Sequence, residues 1–292
     1  MKVLNFGSLN VDYVYQVDHM MREGETQKST RREVFAGGKG LNQSIALSHA
    51  GVEVYHAGLI GNDGQMLLDT CVENGIRTDF IRQIDGPGGH TMIQIDKNAQ
   101  NSILLFTGSN GMVTKEFVDE VLNSFDKGDL ILMQNEVNMP EYIIDKAYEK
   151  GMVIVLNPSP ISESLKECDL SKVSVFLMNE IEGNAISGEC EPDKIMDYMV
   201  AAYPTSSTVL TLGGEGAYYC DSKVRIHQEA IRVKAIDTTA AGDTFTGYFI
   251  YGLLEELPWE NVLKLAAKAA GIAVTRKGAV PSIPYLKEVK EF

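Results

Sequence analysis

The segment Asp237-Thr238-Thr239-Ala240-Ala241-Gly242-Asp243-Thr244-Phe245-Thr246-Gly247 runs small residues straight into an acid and then into a helical pattern, Phe245, Phe249, Leu253 and Leu254. Backbone N–H groups therefore converge at a helix N-terminus, a place that favours an anion. Asp243, at the opening of that helix, would stand beside the anion, where a carboxylate accepts a proton from an attacking hydroxyl. Phosphoryl transfer needs that combination. A plainer reading makes Asp243 a helix cap and Gly242 a turn residue. The segment alone leaves both readings open.

Upstream, the pattern from residue 114 is a regular strand–helix alternation. Helices are expected at 115–123, 140–150, 180–187 and 193–202, and strands at 130–133, 153–156, 173–177 and 209–212. Downstream come helices 242–255 and 259–275 and a closing loop, 276–282. Such alternation predicts a mostly parallel sheet with helices on both faces. No repeat, low-complexity run or linker divides residues 1–292, so one domain is expected.

The N-terminal part reads differently. A first strand at 3–9 is followed by Asn10-Val11-Asp12, which sets a carboxylate past the strand's C-terminal end, the edge where open α/β sheets bind ligands. Strand 54–60, helix 64–74 and strand 80–84 continue the main pattern. Alternating segments at 12–17 and 26–35, and a hairpin of 90–96 and 102–107 joined by the polar turn 97–101, lack a covering helix. They predict a four-stranded flap, a lid built from about 12–17, 26–35 and 88–107. Within this part Phe35-Ala36-Gly37-Gly38-Lys39-Gly40-Leu41-Asn42-Gln43 opens a helix with glycines around a lysine, letting a ligand approach the backbone, although the spacing is not that of a Walker A loop.

Composition fits an enzyme-sized chain: 292 residues, 44% hydrophobic, 23% charged, 27 glycines. A formal net charge of −14 argues against nucleic acid as a partner, because binding a phosphate backbone needs a basic face. The start, Met1 to Gly7, carries no cleavable signal pattern, and no apolar run reaches the roughly 20 residues of a membrane helix. Cys71, Cys168, Cys190 and Cys220 lack metal-like spacing. The expected setting is the cytoplasm, with reduced thiols and no membrane partner.

Polar residues recur just after the expected strands: Asp12, Glu136, Asn157, and Asn179-Glu180-Ile181-Glu182. Each has a plain explanation as a turn former or first-turn acid. Together they point to a cleft along one sheet edge.

At this point the chain resembles the ribokinase family of carbohydrate kinases over essentially its whole length. Gly7-Ser8-Leu9-Asn10-Val11-Asp12 resembles the family's N-terminal sugar-contact motif, Gly37 to Asn42 its first signature, and Asp237 to Gly247 its second. Ala273 to Ser282 is similar to its C-terminal segment. The resemblance implies a three-layer α/β/α fold with a mostly parallel sheet and a small β-sheet lid. It also implies an ATP-dependent sugar kinase acting on D-ribose to give ribose 5-phosphate. Asp243 would be the catalytic base, with the N–H groups of Ala240, Ala241, Gly242 and Asp243 as the anion hole. Asn10, Asp12, Gly37, Gly38, Lys39, Asn42 and Glu136 would hold the sugar. Asn179, Thr211, Leu212, Gly213, Gly214, Glu215, Gly216, Gly242 and Ala267 would line the ATP site. Asn179 and Glu182 would organise Mg²⁺, and Asp237, Thr239, Ala273, Arg276, Gly278 and Ser282 a K⁺ ion.

Two positions depart from the family pattern. Ala266, Ala267 and Lys268 stand where a polar residue is common, which implies largely apolar contacts to the base, and Met178 stands where proline often precedes the metal-motif asparagine. The exposed flap implies a homodimer formed through the lid sheet. A kinase for deoxyribose, fructose or a nucleoside could use nearly the same residues, and a sugar-binding regulator without chemistry is the alternative outside the enzyme class.

Overall fold

The computed structural model describes residues 1–98 and 100–292. The chain begins with β1 (Val3–Phe6), β2 (Asn10–Gln16), β3 (Arg31–Gly37), α1 (Lys39–His49), β4 (Val54–Ile60), α2 (Gln65–Glu73) and β5 (Arg77–Gln83). A hairpin of β6 (Gly89–Ile95) and β7 (Asn101–Phe106) leads to α3 (Lys115–Leu122), β8 (Leu130–Gln134), α4 (Pro140–Glu149) and β9 (Val153–Asn157). Next come β10 (Val175–Asn179), α5 (Glu180–Ser187), α6 (Pro192–Ala202) and β11 (Ser207–Thr211). A second hairpin, β12 (Ala217–Cys220) and β13 (Arg225–Gln228), precedes α7 (Ala241–Leu254), α8 (Trp259–Ala273) and α9 (Leu286–Glu291).

Among the described residues nine strands form the main sheet in the order β13-β12-β11-β10-β9-β8-β1-β4-β5, with the β11–β12 and β12–β13 pairs antiparallel and the other pairs parallel. The pleat sends alternate residues of each strand to opposite faces. Along β8, Leu130 and Leu132 enter one core while Ile131 and Met133 enter the other. Both faces are covered, by α1, α2, α7 and α8 on one side and α3, α4 and α6 on the other. This is why the central strands read as apolar runs rather than alternating ones. The three layers expected from the sequence are present.

The flap is a separate sheet in the order β3-β2-β6-β7. Its strand bounds differ from expectation. The strand expected at 3–9 stops at Phe6, where the chain leaves the main sheet through residues 7–9 and re-pairs as β2 from Asn10. The flap strand expected at 12–17 therefore starts two residues earlier, and Asp12 lies inside it rather than at its start. Close packing forces the exit: a Cβ at Gly7 would lie 2.7 Å from Gly40 Cα at the start of α1. The strand expected from residue 26 begins at Arg31, opposite Gln16. In the expected turn 97–101, Ala99 lies outside the described residues; the N–H groups of Asn98 and Gln100 both donate to Asp96 Oδ1 (2.8 and 3.0 Å).

The β12–β13 hairpin and α9 were not expected from the pattern. Both depend on distant partners: Tyr219 of β12 stacks on Trp259 of α8 at 4.1 Å, and Val289 of α9 is fully buried in the core beneath it.

Candidate active site

The ends of β1, β8, β9, β10 and β11 and the starts of α1 and α7 meet at one edge of the main sheet. At α7 the N-cap is Ala240, in the left-handed region at φ 58°, a conformation that costs an alanine about 1 kcal/mol. Its carbonyl accepts from Thr244 N at 2.8 Å. Asp243 is thus the third residue of the helix, not its cap, which removes the plainer reading. Apart from its chain neighbours and the backbone of its own helix turn, no described atom lies within 4 Å of the place a Cβ on Gly242 would take. That open space belongs to a cavity of about 230 Å³ lined by Lys39, Asn157, Asn179, Glu182, Thr211 and the turn from Ala240 to Asp243, among others.

Asp243 is buried, and both carboxylate oxygens are held from α1: Asn42 Nδ2 donates to Oδ2 at 3.0 Å and Gln43 Nε2 to Oδ1 at 2.9 Å. The residues are 200 positions apart in sequence, and their meeting rests on the packing of α1 against α7. Gly247, one turn beyond Asp243, sits against the backbone of Ala46 and Leu47, so the helices approach closely there.

On the flap side, Asp12 accepts from Thr91 Oγ1 at 2.5 Å. Burial raises its carboxyl pKa from the ordinary 3.8 to about 6; the Thr91 hydrogen bond opposes this and the charge of Glu136 adds to it. Glu136, just past β8, accepts from Ser8 Oγ and from Lys39 N, the latter at 3.0 Å. Burial likewise raises its pKa, against the lowering effects of Ser8 and Lys39. For the Lys39 ammonium, burial acts to lower the pKa, but the carboxylates of Asp243, Glu136 and Glu182 outweigh it and leave the group above the usual lysine value. The fields of all three acids thus reach the Lys39 ammonium. Gly37 is needed for space: a Cβ there would come within 2.7 Å of Asp12 Cγ. Gly38, at φ 94°, supplies the left-handed step into α1. Asn10 is also here, but its side-chain oxygen accepts from Asn110 Nδ2 at 2.7 Å, which ties the flap to the body.

A second cavity of about 320 Å³ adjoins the first and shares Thr211, Thr238, Ala241, Gly242 and Phe245 with it. Gly213, Gly214, Gly216 and Ala267 line it. Leu212 does not: it is buried in the core on the α3–α4–α6 face, because β11 ends with its side chain pointing inward. Glu215 is also outside the lining, and its carbonyl faces His227 Nε2 at 3.1 Å. The remaining walls, Ile231, Val233, Ala235 and Val274 among them, are apolar; of residues 266–268, Ala267 lines the cavity, whereas Ala266 is in the core and Lys268 is outside the lining.

Asn179 and Glu182 form a reciprocal cap at the start of α5. Asn179 Oδ1 accepts from the N–H groups of Ile181 and Glu182 (2.9 and 3.0 Å), while Glu182 accepts from Asn179 N at 2.9 Å and Nδ2 at 3.1 Å. Asp237 accepts from Thr239 N (2.9 Å), Thr239 Oγ1 (2.6 Å) and Gly278 N (2.9 Å). Partial burial acts to raise its pKa, but these hydrogen bonds prevail and hold it below the usual carboxylate value. The loop before α7 is thereby fastened to the loop after α8, which brings Asp237 and Thr239 to the segment holding Ala273, Arg276 and Gly278. Ser282 is fully buried, its hydroxyl donating to Ala279 O at 2.7 Å. Among the described residues no group of three or more His, Cys, Asp or Glu side chains gathers to hold a metal.

Residues 1–286 match the model of the pfkB family carbohydrate kinases. The chain belongs to that family. It is 33% identical to a ribokinase of Haemophilus influenzae over 98% of this chain and 96% of that protein. A deoxyribokinase of Salmonella typhi is 29% identical over 100% and 98% of the two chains. Among solved structures, an Arabidopsis thaliana ribokinase complexed with ribose and ATP superposes with a TM-score of 0.87 at 25% identity, covering 99% of this chain and 97% of that one. The family's chemistry, phosphoryl transfer from ATP to a sugar hydroxyl, is this chain's activity, and the two adjoining cavities, with Asp243 on the wall of the first, suit it.

Several residues of this site were not singled out from the sequence. Gln43 lies inside the quoted glycine-rich stretch, next to Asn42, and a reading of both polar residues on the first helical turn would have included it. Ser8 lies within the N-terminal motif. Thr91 and the walls at 231–235 carry no local signal, because their roles come from the flap pairing of β2 with β6 and from the packing of α8.

Proposed function

We propose that the chain is a ribokinase, transferring the γ-phosphoryl group of ATP to the 5-hydroxyl of D-ribose. The observation that carries this reading is the placement of Asp243: its carboxylate is held from α1, at an anion-favouring helix start and within the electrostatic reach of Glu136, which in turn acts on Asp12. The ribokinase relatives, one of them solved with ribose and ATP, support ribose as the acceptor.

In this reading Asp12, Glu136 and Asn42 hold the sugar hydroxyls, with Gly37 and Gly38 giving room and Asn10 bracing the flap. Asp243 takes the proton of the terminal hydroxyl as it attacks. The N–H groups at the start of α7 stabilise the charge that develops on the transferred phosphoryl group, and Lys39 adds a cation between the sugar acids and the phosphate cavity. ATP occupies the larger cavity, its base against the apolar walls and its phosphates beside Gly213, Gly214 and Gly242. The flap is a lid that excludes water from the sugar.

Asn179 and Glu182 fit Mg²⁺ as hard oxygen donors at the rim of the phosphate cavity. Each is already engaged by the other, so they would hold the ion through its waters, as magnesium favours. Bound there, Mg²⁺ would neutralise phosphate charge. The ionised Asp237 and the carbonyl groups of the loop fastened to it fit a K⁺ ion, which requires oxygen ligands. The exposed β7 edge, with Ile103, Leu104, Leu105 and Phe106 all in solvent, suits a homodimer formed through the lids.

The relative named as a deoxyribokinase favours one second reading, deoxyribose as the acceptor. A coupled assay of ADP formation over D-ribose, 2-deoxyribose, fructose and nucleosides, run with and without K⁺, decides between them. Asp243→Asn is expected to abolish turnover by several orders of magnitude while calorimetry still detects sugar binding. A variant that keeps most of its turnover would refute the assignment of the base.

A further inference from the structure

Behind Asp243 lies a chain of polar side chains, Gln43, Gln134, Asn5, Ser44 and His56, each 0% exposed and none lining either cavity. Its hydrogen-bond directions are forced from the far end. His56 Nε2 lies 3.2 Å from the Gly7 carbonyl, which can only accept, so Nε2 carries the proton and Nδ1 is an acceptor. Burial lowers the His56 pKa to about 4, the Gly7 bond opposing, which keeps the ring neutral. Ser44 Oγ then donates to Nδ1 at 2.8 Å and accepts from Asn5 Nδ2 at 2.8 Å. Asn5, its other N–H on Gly40 O at 2.7 Å, presents Oδ1 to Gln134 Nε2 at 3.0 Å. The second N–H of Gln134 goes to Gln43 Oε1 at 2.7 Å. Gln43 is left with its amide N–H facing Asp243 Oδ1, at 2.9 Å. Flipping any one amide would set donor against donor or acceptor against acceptor.

Asn42 differs from its neighbour. Its Oδ1, like Gln134 Oε1 and Thr244 Oγ1, is buried without a partner among the described residues, so Asn42 has an unused acceptor, whereas both ends of the Gln43 amide are used inside the protein.

We propose that Gln43 is the positioning residue of Asp243: locked by Gln134 from β8, it pins Oδ1 so that the carboxylate meets the acceptor hydroxyl in one fixed rotation. The proposal rests on Asp243 being the base. It separates two adjacent residues by role, Asn42 acting on sugar binding and Gln43 on turnover.

The test is steady-state kinetics and calorimetric sugar binding on the full chain for Gln43→Leu, Gln43→Met, Asn42→Ala and Asp243→Asn, with Gln43→Leu also made in the Asp243→Asn background. Losing the fixed rotation is expected to lower kcat on the order of 10- to 100-fold, with the sugar Kd within about threefold of the parent, whereas Asn42→Ala weakens the sugar Kd. In the Asp243→Asn background, Gln43→Leu is expected to cause no further loss. If the Gln43 variants melt below assay temperature, Gln134→Met removes the lock without touching Asp243 and is expected to lower kcat by a smaller factor at unchanged Kd. A folded Gln43 variant with kcat within twofold of the parent would overturn the proposal. So would a loss confined to Kd, or a full further loss in the Asp243→Asn background. An active Asp243→Asn variant would instead bring down the base assignment itself, and the two failures are thereby told apart.

Discussion

Replacing Gly247 by alanine tests the geometry on which the site depends. In an exposed helix interior this change stabilises by about 1 kcal/mol, because alanine has the better helix propensity. Here two effects compete. The added methyl would overlap the Ala46 side chain and come within 2.8 Å of the Ala46 carbonyl carbon and of Leu47 N. Non-bonded carbon contacts lie at about 3.5 Å or more, and the Ala46 Cβ would be 2.4 Å from the new methyl, so α1 and α7 must part by roughly 1.1 Å or distort. Overpacking of this kind costs about 1–3 kcal/mol, enough to cancel the propensity gain or exceed it. The catalytic consequence is sharper. Gly247 is one turn from Asp243, so the same separation carries the bonds from Asn42 and Gln43, now 3.0 and 2.9 Å, to about 4 Å, beyond the reach of a hydrogen bond. The expected result is a drop in kcat of about 10- to 100-fold with a modest fall in unfolding midpoint, read from coupled-assay kinetics and denaturant titration of the same preparation. A Gly247→Ala protein that is more stable than the parent and turns over at the parental rate would refute the reasoning, because it would show that the helices do not set the base.

Gly37→Ala is expected to push the Asp12 carboxylate out of place and raise the sugar KM by about tenfold or more while the ATP KM stays near the parental value, a split readable in two substrate titrations. Asp12 titrates at about 6 without sugar, so the sugar KM is expected to climb as pH falls through 6, where the acceptor carboxylate is lost; a flat KM between pH 5 and 8 would count against its role. Because the folded pKa is raised above the ordinary 3.8, the buried charge costs stability above pH 6 and the cost fades as pH falls toward 4. Asp12→Asn is accordingly expected to raise the unfolding free energy of the sugar-free protein near pH 7 by about 1–3 kcal/mol while sugar binding collapses, checked by denaturant melts beside calorimetry. Asp237→Asn should raise the K⁺ concentration for half-maximal activation by about tenfold or more, and activity independent of K⁺ in both proteins would remove the cation from the account.

Much of the fold is legible in the sequence because the main sheet is buried on both faces. Its strands must be apolar runs and the helices between them amphipathic, so residues 130–134, 153–157 and 180–187 declare themselves locally. The flap strands also show, as alternating segments with no helix to cover them. Elements without an independent pattern were missed: β12 and β13 are four residues each, and α9 is six, and all three gain their stability from contacts made far along the chain. Site residues divide the same way. The glycines and acids of the two signatures are visible in order, but Leu212 looks like a cavity residue until β11 turns it into the core.

The sequence by itself determined that a helix begins beside Asp243 with small residues before it, that a second glycine-rich helix start carries Lys39 and Asn42, and that acids follow the strands. Those are local properties, set by backbone freedom, helix ends and periodicity. That Asp243 is the third residue of its helix, that Asn42 and Gln43 reach it from about 200 positions away, and that the flap strand carrying Asp12 already begins at Asn10 were decided by tertiary structure. Close helix packing at Gly247 and the exit of the chain from the main sheet after Phe6 are long-range steric facts, and a sequence pattern carries no distance between its ends.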